Sequence, residues 1–394
     1  MHSHSYVNSA VRILKQYEGQ EPFALFLKKY FSANKKHGSR DRKEIAHLCY
    51  CYFRLGKALL QVPVQDRILT GLFLCSNESN KILANVRPQW DQQIGLPMER
   101  KLSTIGHSLL ITDIFPWKHE LSETIDHEKF CESFLVQPDL FLRTRPGYES
   151  TVKEKLRKAE INFQELNLSC LSLPNSSKIE DVIELDKEAV VQDYNSQQVG
   201  KYLELAIASR CISGSRLPMA VWDCCAGSGG KSLLLRDVVP NVDLTVSDVR
   251  ESILVNLRKR FSKAGITNYR FFVTDLTKSQ SGVSATHDLI VCDAPCTGSG
   301  SWSRTPEQLA FFEVRKIESY AALQKKIVSS VIPQLKPGGF FVYITCSVFK
   351  KENEEVAEFI KKNKAGLDLI KMELLNGYDK KADTMFVALF RRGL

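Results

Sequence analysis

The chain has 394 residues, 43% of them apolar and 25% charged, which are the proportions of a folded globular protein and exclude a disordered, collagen-like or coiled-coil chain. Basic residues number 54 and acidic residues 45, a net +9 spread along the chain that permits a nucleic-acid partner without demanding one. No apolar run reaches the ~18 residues of a membrane span, Met1 to Leu14 does not read as a secretory signal, and the 11 cysteines read as free thiols in a reducing, cytoplasmic setting.

At roughly 100–200 residues per domain, this length predicts two or three domains. Residues 5–130 read as helices. Val7, Val11 and Leu14, then Phe23, Phe26, Leu27 and Phe31, recur at helical spacing. Ser39 stands where an N-cap belongs, ahead of a helix with Ile45, Leu48, Cys49 and Phe53 on its apolar face. Asp66 to Leu74 and Ser122 to Leu135 read as helical too. From Pro138 the pattern changes. Leu140 to Thr144 alternates like a strand, Glu149 to Ala159 reads as a helix, and short strands are expected near Phe163, Cys170 and Val190. Residues 138–190 are thus expected to form a small RRM-like α+β unit.

The helix Lys201 to Ile212 leads into alternating strands and helices. The strands are expected at Ala220–Asp223, Val242–Val246, Phe271–Val273, Leu289–Val291 and Gly339–Thr345. The helices are expected at Lys231–Val238, Glu251–Ala264 and Ile317–Leu335. Near-continuous apolar strands between helices predict an α/β fold with a mostly parallel, doubly wound sheet.

Chemistry concentrates at the ends of those strands. Asp223-Cys-Cys-Ala-Gly-Ser-Gly-Gly-Lys-Ser232 sits where the first strand turns into a helix, and its glycines let backbone approach a ligand. It is not a phosphate-binding P-loop, because Cys225 stands where that motif needs glycine. Asp248 ends the second strand, where an acidic side chain binds ribose hydroxyls or caps the next helix. Asp275 ends the third and could accept from an adenine amino group. Asp293-Ala-Pro-Cys296-Thr-Gly-Ser-Gly300 and Tyr343-Ile-Thr-Cys346-Ser347 follow the fourth and fifth. Each cysteine alone reads as a buried thiol. Two at adjacent strand ends read as nucleophiles for an electron-poor ring carbon.

These motifs together resemble the RsmB/Fmu (Sun-domain) family of S-adenosylmethionine-dependent RNA cytosine-5 methyltransferases. The family's Asp-x-Cys-Ala-Ala-Pro-Gly-Gly-Lys is matched by Asp223 to Lys231, except that Gly227 and Ser228 replace Ala and Pro. Its Asp-x-Pro-Cys, Thr-Cys-Ser and Glu-Asn-Glu elements are matched by Asp293 to Cys296, Thr345 to Ser347 and Glu352 to Glu354. Leu335 to Gly339, the segment Val191 to Gln197 and the closing Met385 to Phe390 fit as well. The match covers about residues 138–394. Ser39 to Arg54 is more loosely similar to the NusB-like helical domain of bacterial members.

The resemblance implies a Rossmann-like class I methyltransferase domain over 191–394, behind the small unit at 138–190 and a NusB-like helical domain at 1–137. It implies that S-adenosyl-L-methionine lies against Cys225, Ala226, Gly227, Ser228, Gly229, Gly230 and Lys231, with Asp248, Asp275 and Asp293. It further implies that Cys346 attacks cytosine C6, that Cys296 helps release the product, that Asp293 contacts the ring edge, and that Lys231 steadies Asp293 or the ring. The expected partner is RNA with a single-stranded or flipped-out cytosine, ribosomal RNA first and transfer RNA second. No membrane, no metal and a monomer are expected. Arg40, Arg42, Lys43, Arg143 and Arg145 are candidates for gripping the RNA. Two alternatives stand beside this. DNA cytosine-5 enzymes use the Pro-Cys cysteine and lack the Thr-Cys partner, and a non-catalytic assembly factor could keep the fold without the thiols.

Overall fold

The apolar stripes near the N-terminus fold as helices because each has another stripe to cover it. The computed structural model describes residues 2–106, 108–211, 218–239, 241–278, 286–363 and 366–394. The chain forms two compact units, one of Met1–Leu121, Ile125–Gln137 and Ser301–Val314, the other of Ser122–Thr124, Pro138–Gly300 and Arg315–Leu394.

In the helical unit, helices His2–Gln16, Phe23–Ala33, Ser39–Arg54 and Val64–Cys75 bury Val7, Ile13, Phe23, Ile45, Leu48, Ile68 and Leu72. Gly71 lets two of them touch, since a Cβ there would lie 2.2 Å from the Cys51 carbonyl oxygen. Ser39 is not the cap but the first helical residue; Gly38 precedes it, and its N–H donates to Asp41 at 3.0 Å. The helix expected over Ser122–Leu135 shrinks to His127–Ser133, because Asp126 caps it by accepting the Lys129 N–H at 3.2 Å.

Residues 301–314, encoded far downstream, belong to this unit. Glu307 accepts the Phe23 N–H at 3.3 Å, and Lys57 donates to the carbonyls of Ala310 and Phe312 at 2.8 and 3.0 Å. The buried Arg54 donates to the carbonyls of Phe134, Val136 and Ser303 at 2.6, 3.0 and 3.2 Å.

The second unit carries two sheets. The smaller comprises β1 (Leu140–Thr144), β2 (Gln164–Glu165), β3 (Cys170–Leu173) and β4 (Ala189–Val191), antiparallel in the order β2-β3-β1-β4. Helix Glu149–Lys158 covers it through Val152 and Leu156. Arg143 and Arg145, expected to grip RNA, do something else. Both pair with Asp237 on helix Gly230–Val238, at 2.5 and 2.9 Å, and Arg143 is only 4% exposed. A guanidinium spent on this carboxylate ties the small sheet to helix Gly230–Val238 instead of reaching phosphate.

The larger sheet comprises β5 (Met219–Asp223), β6 (Val242–Asp248), β7 (Arg270–Val273), β8 (His287–Asp293), β9 (Leu335–Thr345), β10 (Leu367–Leu375) and β11 (Met385–Arg392). Its order is β10-β11-β9-β8-β5-β6-β7, with β5 to β9 parallel and β10 and β11 antiparallel at one edge. Alternate residues enter two cores. Val221, Leu244, Leu289 and Val342 pack on one side; Trp222, Ile290, Phe341 and Tyr343 pack on the other. The helix expected to reach Leu335 stops at Val331, where Pro333 breaks the α pattern into a short turn of 3₁₀ helix. Strand order reverses between β8 and β5, which opens a crevice at their carboxyl ends. Among the described residues no helix is long and apolar enough to cross a membrane.

Candidate active site

The glycine turn leaves β5 at Asp223 and is tied down by the Cys224 N–H to the Val291 carbonyl and the Ala226 N–H to the Ser247 carbonyl, both at 2.9 Å. Gly227 and Gly229 have φ of +53° and +87°, which side-chain-bearing residues rarely adopt. A Cβ at Gly229 would press on Phe261 at 2.9 Å, whereas one at Gly227 would meet nothing within 4 Å. The loop is packed below and open above. Asp248 accepts the Gly227 N–H at 3.0 Å and the Arg250 N–H at 2.9 Å, so it braces the loop as well as ending β6. Ser228, standing where the family has proline, is fixed differently: Arg260 donates to its carbonyl and hydroxyl at 3.1 and 3.2 Å.

The Cys225 thiol turns toward the core. It lies with those of Cys224 and Cys292, all three within 4.8 Å of one another. Hydrogen bonds from Cys224 and Cys225 pull Cys292 down to about 6, while burial pushes Cys224 up. Asp275 spends one oxygen on its own turn, accepting from the Thr277 hydroxyl at 2.6 Å and N–H at 3.0 Å, which holds its carboxyl below the usual range.

The two motif cysteines meet. Their Sγ atoms are 3.4 Å apart, on loops leaving the neighbouring strands β8 and β9. Gly300 makes the approach possible: its N–H donates to the Cys346 carbonyl at 2.8 Å, and a Cβ there would fall 1.9 Å from the Thr384 carbonyl oxygen. The contact with Cys346, then burial, pushes the Cys296 thiol up, so Cys296 holds its proton. Beside the pair, Lys231 Nζ lies 3.2 Å from Asp293 and donates to the Ser196 hydroxyl at 2.8 Å. Gln192 donates to Ser196 and to the Gly230 carbonyl at 3.2 and 3.3 Å. The segment ahead of β5 thereby orients the lysine.

Two groups stand outside the residues the sequence names for the site, although Asp223 reads as one of three acidic strand ends facing the crevice. Asp223 is fully buried, with one oxygen accepting from Ser232 at 2.5 Å and the other, Oδ1, without a partner. Burial pushes its carboxyl up to about 7. It opened the quoted motif at a strand end, which was a usable signal. Glu352 is also fully buried, and it was noted only as a motif match.

A glycine loop under two thiols, at the switch point of this seven-stranded sheet, defines a methyltransferase-like α/β protein. Residues 218–390 match the model of the 16S rRNA methyltransferase RsmB/F family. The chain is 31% identical over 173 residues to ribosomal RNA small subunit methyltransferase B of Enterobacter sp. (strain 638), covering 44% of this chain and 38% of that one. It is 31% identical over 162 residues to ribosomal RNA small subunit methyltransferase F of Shewanella amazonensis, covering 41% and 34%. The alignment thus spans less than two fifths of these relatives. Among solved structures, PH0851 shares the fold over 98% of this chain and 97% of its own at TM-score 0.69 and 16% identity. A methyltransferase homologue from Pyrococcus horikoshii does so over 74% and 98%, at TM-score 0.57 and 21% identity.

The S-adenosylmethionine implied by the sequence motifs would lie on the open side of the glycine loop, above Gly227. The loop is open above Gly227, and Asp223 keeps one buried oxygen, Oδ1, without a hydrogen-bond partner.

Proposed function

We propose that this protein methylates C5 of a cytosine in RNA, with ribosomal RNA the first substrate to test and transfer RNA the alternative. The observation that carries the reading is the 3.4 Å separation of the Cys296 and Cys346 sulfurs beside the Lys231–Asp293 pair. S-adenosylmethionine, when bound, supplies an electrophilic methyl group. The 223–231 loop, Asp223 and Asp248 would hold it, and Asp293 and Asp275 would border it. The chain's own residues prepare the base. Cytosine C5 is a poor nucleophile until a thiolate adds to C6. Cys346 forms that bond, while Asp293, steadied by Lys231, holds the N3/N4 edge and stabilises the attacked ring. Cys296, poised against Cys346, holds its proton at rest; once that proton has passed to solvent, its thiolate takes the C5 proton, the C5–H electron pair re-forms the C5–C6 double bond, and the Cys346–C6 bond breaks. The ring must present both faces, so the cytosine is unstacked. In this reading the helical unit, a NusB-like fold by our proposal, grips the RNA backbone through the exposed Arg40 and Lys43.

The test uses labelled methyl donor, ribosomal RNA and two variants. Cys346→Ala should lose methylation and form no covalent RNA complex. Cys296→Ala should attack, stall, and leave a slow-migrating RNA adduct on a denaturing gel. The reverse pattern would make Cys296 the nucleophile. Full methylation by both variants would end the thiol mechanism.

A further inference from the structure

Glu352 follows Cys346 by six residues, yet its hydrogen bonds reach both cysteine loops. Oε1 accepts from the hydroxyls of Thr297 and Ser347 at 2.6 and 2.7 Å. Oε2 accepts from the Thr297 N–H and from Gln324 Nε2 at 2.9 and 3.1 Å. Thr297 directly follows Cys296, and Ser347 directly follows Cys346. Gln324 also donates to the carbonyl of Pro295, directly before Cys296, at 3.0 Å. One carboxylate therefore ties the neighbours of both thiols to a single point.

A carboxylate has about four lone-pair sites, and four donors occupy them here. None is left to take a proton from a substrate. Burying such a group is costly unless it is fully hydrogen-bonded. An apolar side chain would fill the space without binding either loop. We propose that Glu352 is a positioning residue that sets the spacing of Cys296 and Cys346. This rests on reading those two thiols as the reacting pair.

The bonds dictate which variants discriminate. Oε2 faces N–H groups only, and Oε1 faces hydroxyls only. In Glu352→Gln the amide oxygen can take the N–H side. The amide NH₂ then donates to the two hydroxyls, which rotate to accept. Glu352→Ala has neither option. The thiol spacing can be read without methylation. Diamide closes neighbouring thiols to a disulfide: the two sulfurs bond, and their two protons and two electrons pass to the N=N bond of diamide. Mass spectrometry of the full-length protein then quantifies the Cys296–Cys346 cross-link against time.

Wild type and Glu352→Gln should cross-link at similar rates, and Glu352→Ala about tenfold or more slowly, the scale of one lost hydrogen bond to a charged group. With ribosomal RNA, Glu352→Ala should lower kcat and leave KM for RNA near wild type, while Glu352→Gln retains most turnover. Wild-type cross-linking in a folded Glu352→Ala would overturn the proposal. So would a Glu352→Gln as impaired as the alanine, since charge and not position would then be needed. If Glu352→Ala does not fold, Thr297→Val and Ser347→Ala decide, each removing one hydroxyl; unchanged cross-linking in both would overturn it equally. Absence of methylation by wild type would reject the enzymatic reading alone, because the cross-linking result stands apart from it.

Discussion

Asp223 has one oxygen on Ser232 and the other on nothing, in a site closed to water. Burial raises its carboxyl from 3.8 to about 7. A cation placed against it favours the charged form, so a protonated Asp223 must first release its proton. S-adenosylmethionine affinity should therefore rise with pH up to about 7 and flatten above it, changing about tenfold between pH 6 and 8. Calorimetry across that range checks it, with Asp223→Asn as a weaker, pH-flat control; a flat wild-type profile would remove Asp223 from the cofactor site. The sign reverses for the ligand-free chain. The folded state holds this proton more tightly than the unfolded one, so its contribution to stability is present at low pH and is lost as pH rises from about 4 to about 7. Asp223→Asn should remove that slope from urea titrations. In the proposed function Asp248 holds the cofactor through hydrogen bonds. Asp248→Ala should weaken the cofactor by about 1.5–3 kcal/mol and also free the Gly227 N–H; unchanged affinity would exclude it.

Between elements, Asp237 under Arg143 and Arg145 ties helix Gly230–Val238 to the small sheet. Removing it leaves Arg143 buried and unpaired. Asp237→Ala should cost about 3–5 kcal/mol, read from the urea midpoint, and a loss within error of zero would show the small sheet to be held by its apolar contacts. This tie was not legible in the sequence, because Arg143 and Asp237 are 94 residues apart and a basic strand looks alike whether it faces phosphate or carboxylate. What was legible follows from local physics. Strands β5, β8 and β9 are buried on both faces and read as unbroken apolar runs. The positive φ at Gly227 and Gly229 explains why that turn announced itself. The edge strand β10 is mostly exposed, with Lys371 and Glu373 among its apolar residues, and offered neither a run nor a clean alternation. The two thiols were recognised by their motifs, but their 3.4 Å contact and the carboxylate beneath them needed the fold.

At the scale of the molecule, the chain enters the helical unit twice, and this changes how that unit can be tested. Trp302 packs against Phe115 at 6.1 Å, Phe312 against Trp117 at 5.0 Å, and Leu309 is fully buried. A chain cut at residue 138 would keep 301–314 and lose the partners of those side chains. It should bind a hydrophobic dye and aggregate, so weak RNA binding by it would say nothing about the helices. The full chain with Arg40→Glu and Lys43→Glu is the sound test, because both side chains are exposed. Arg42 is a poorer choice, since it donates to the His37 carbonyl at 2.8 Å and lies over the Phe31 ring. If the two bases neutralise phosphates, each lost contact should flatten the slope of log K against log salt by about 0.7 for single-stranded and about 0.9 for duplex RNA treated like DNA. Binding should weaken at low salt and converge with wild type at high salt, where fewer counterions are released by either protein. An unchanged slope, with the thermal midpoint also unchanged, would mean that the RNA is held by the sheet unit and that the helical unit has another task.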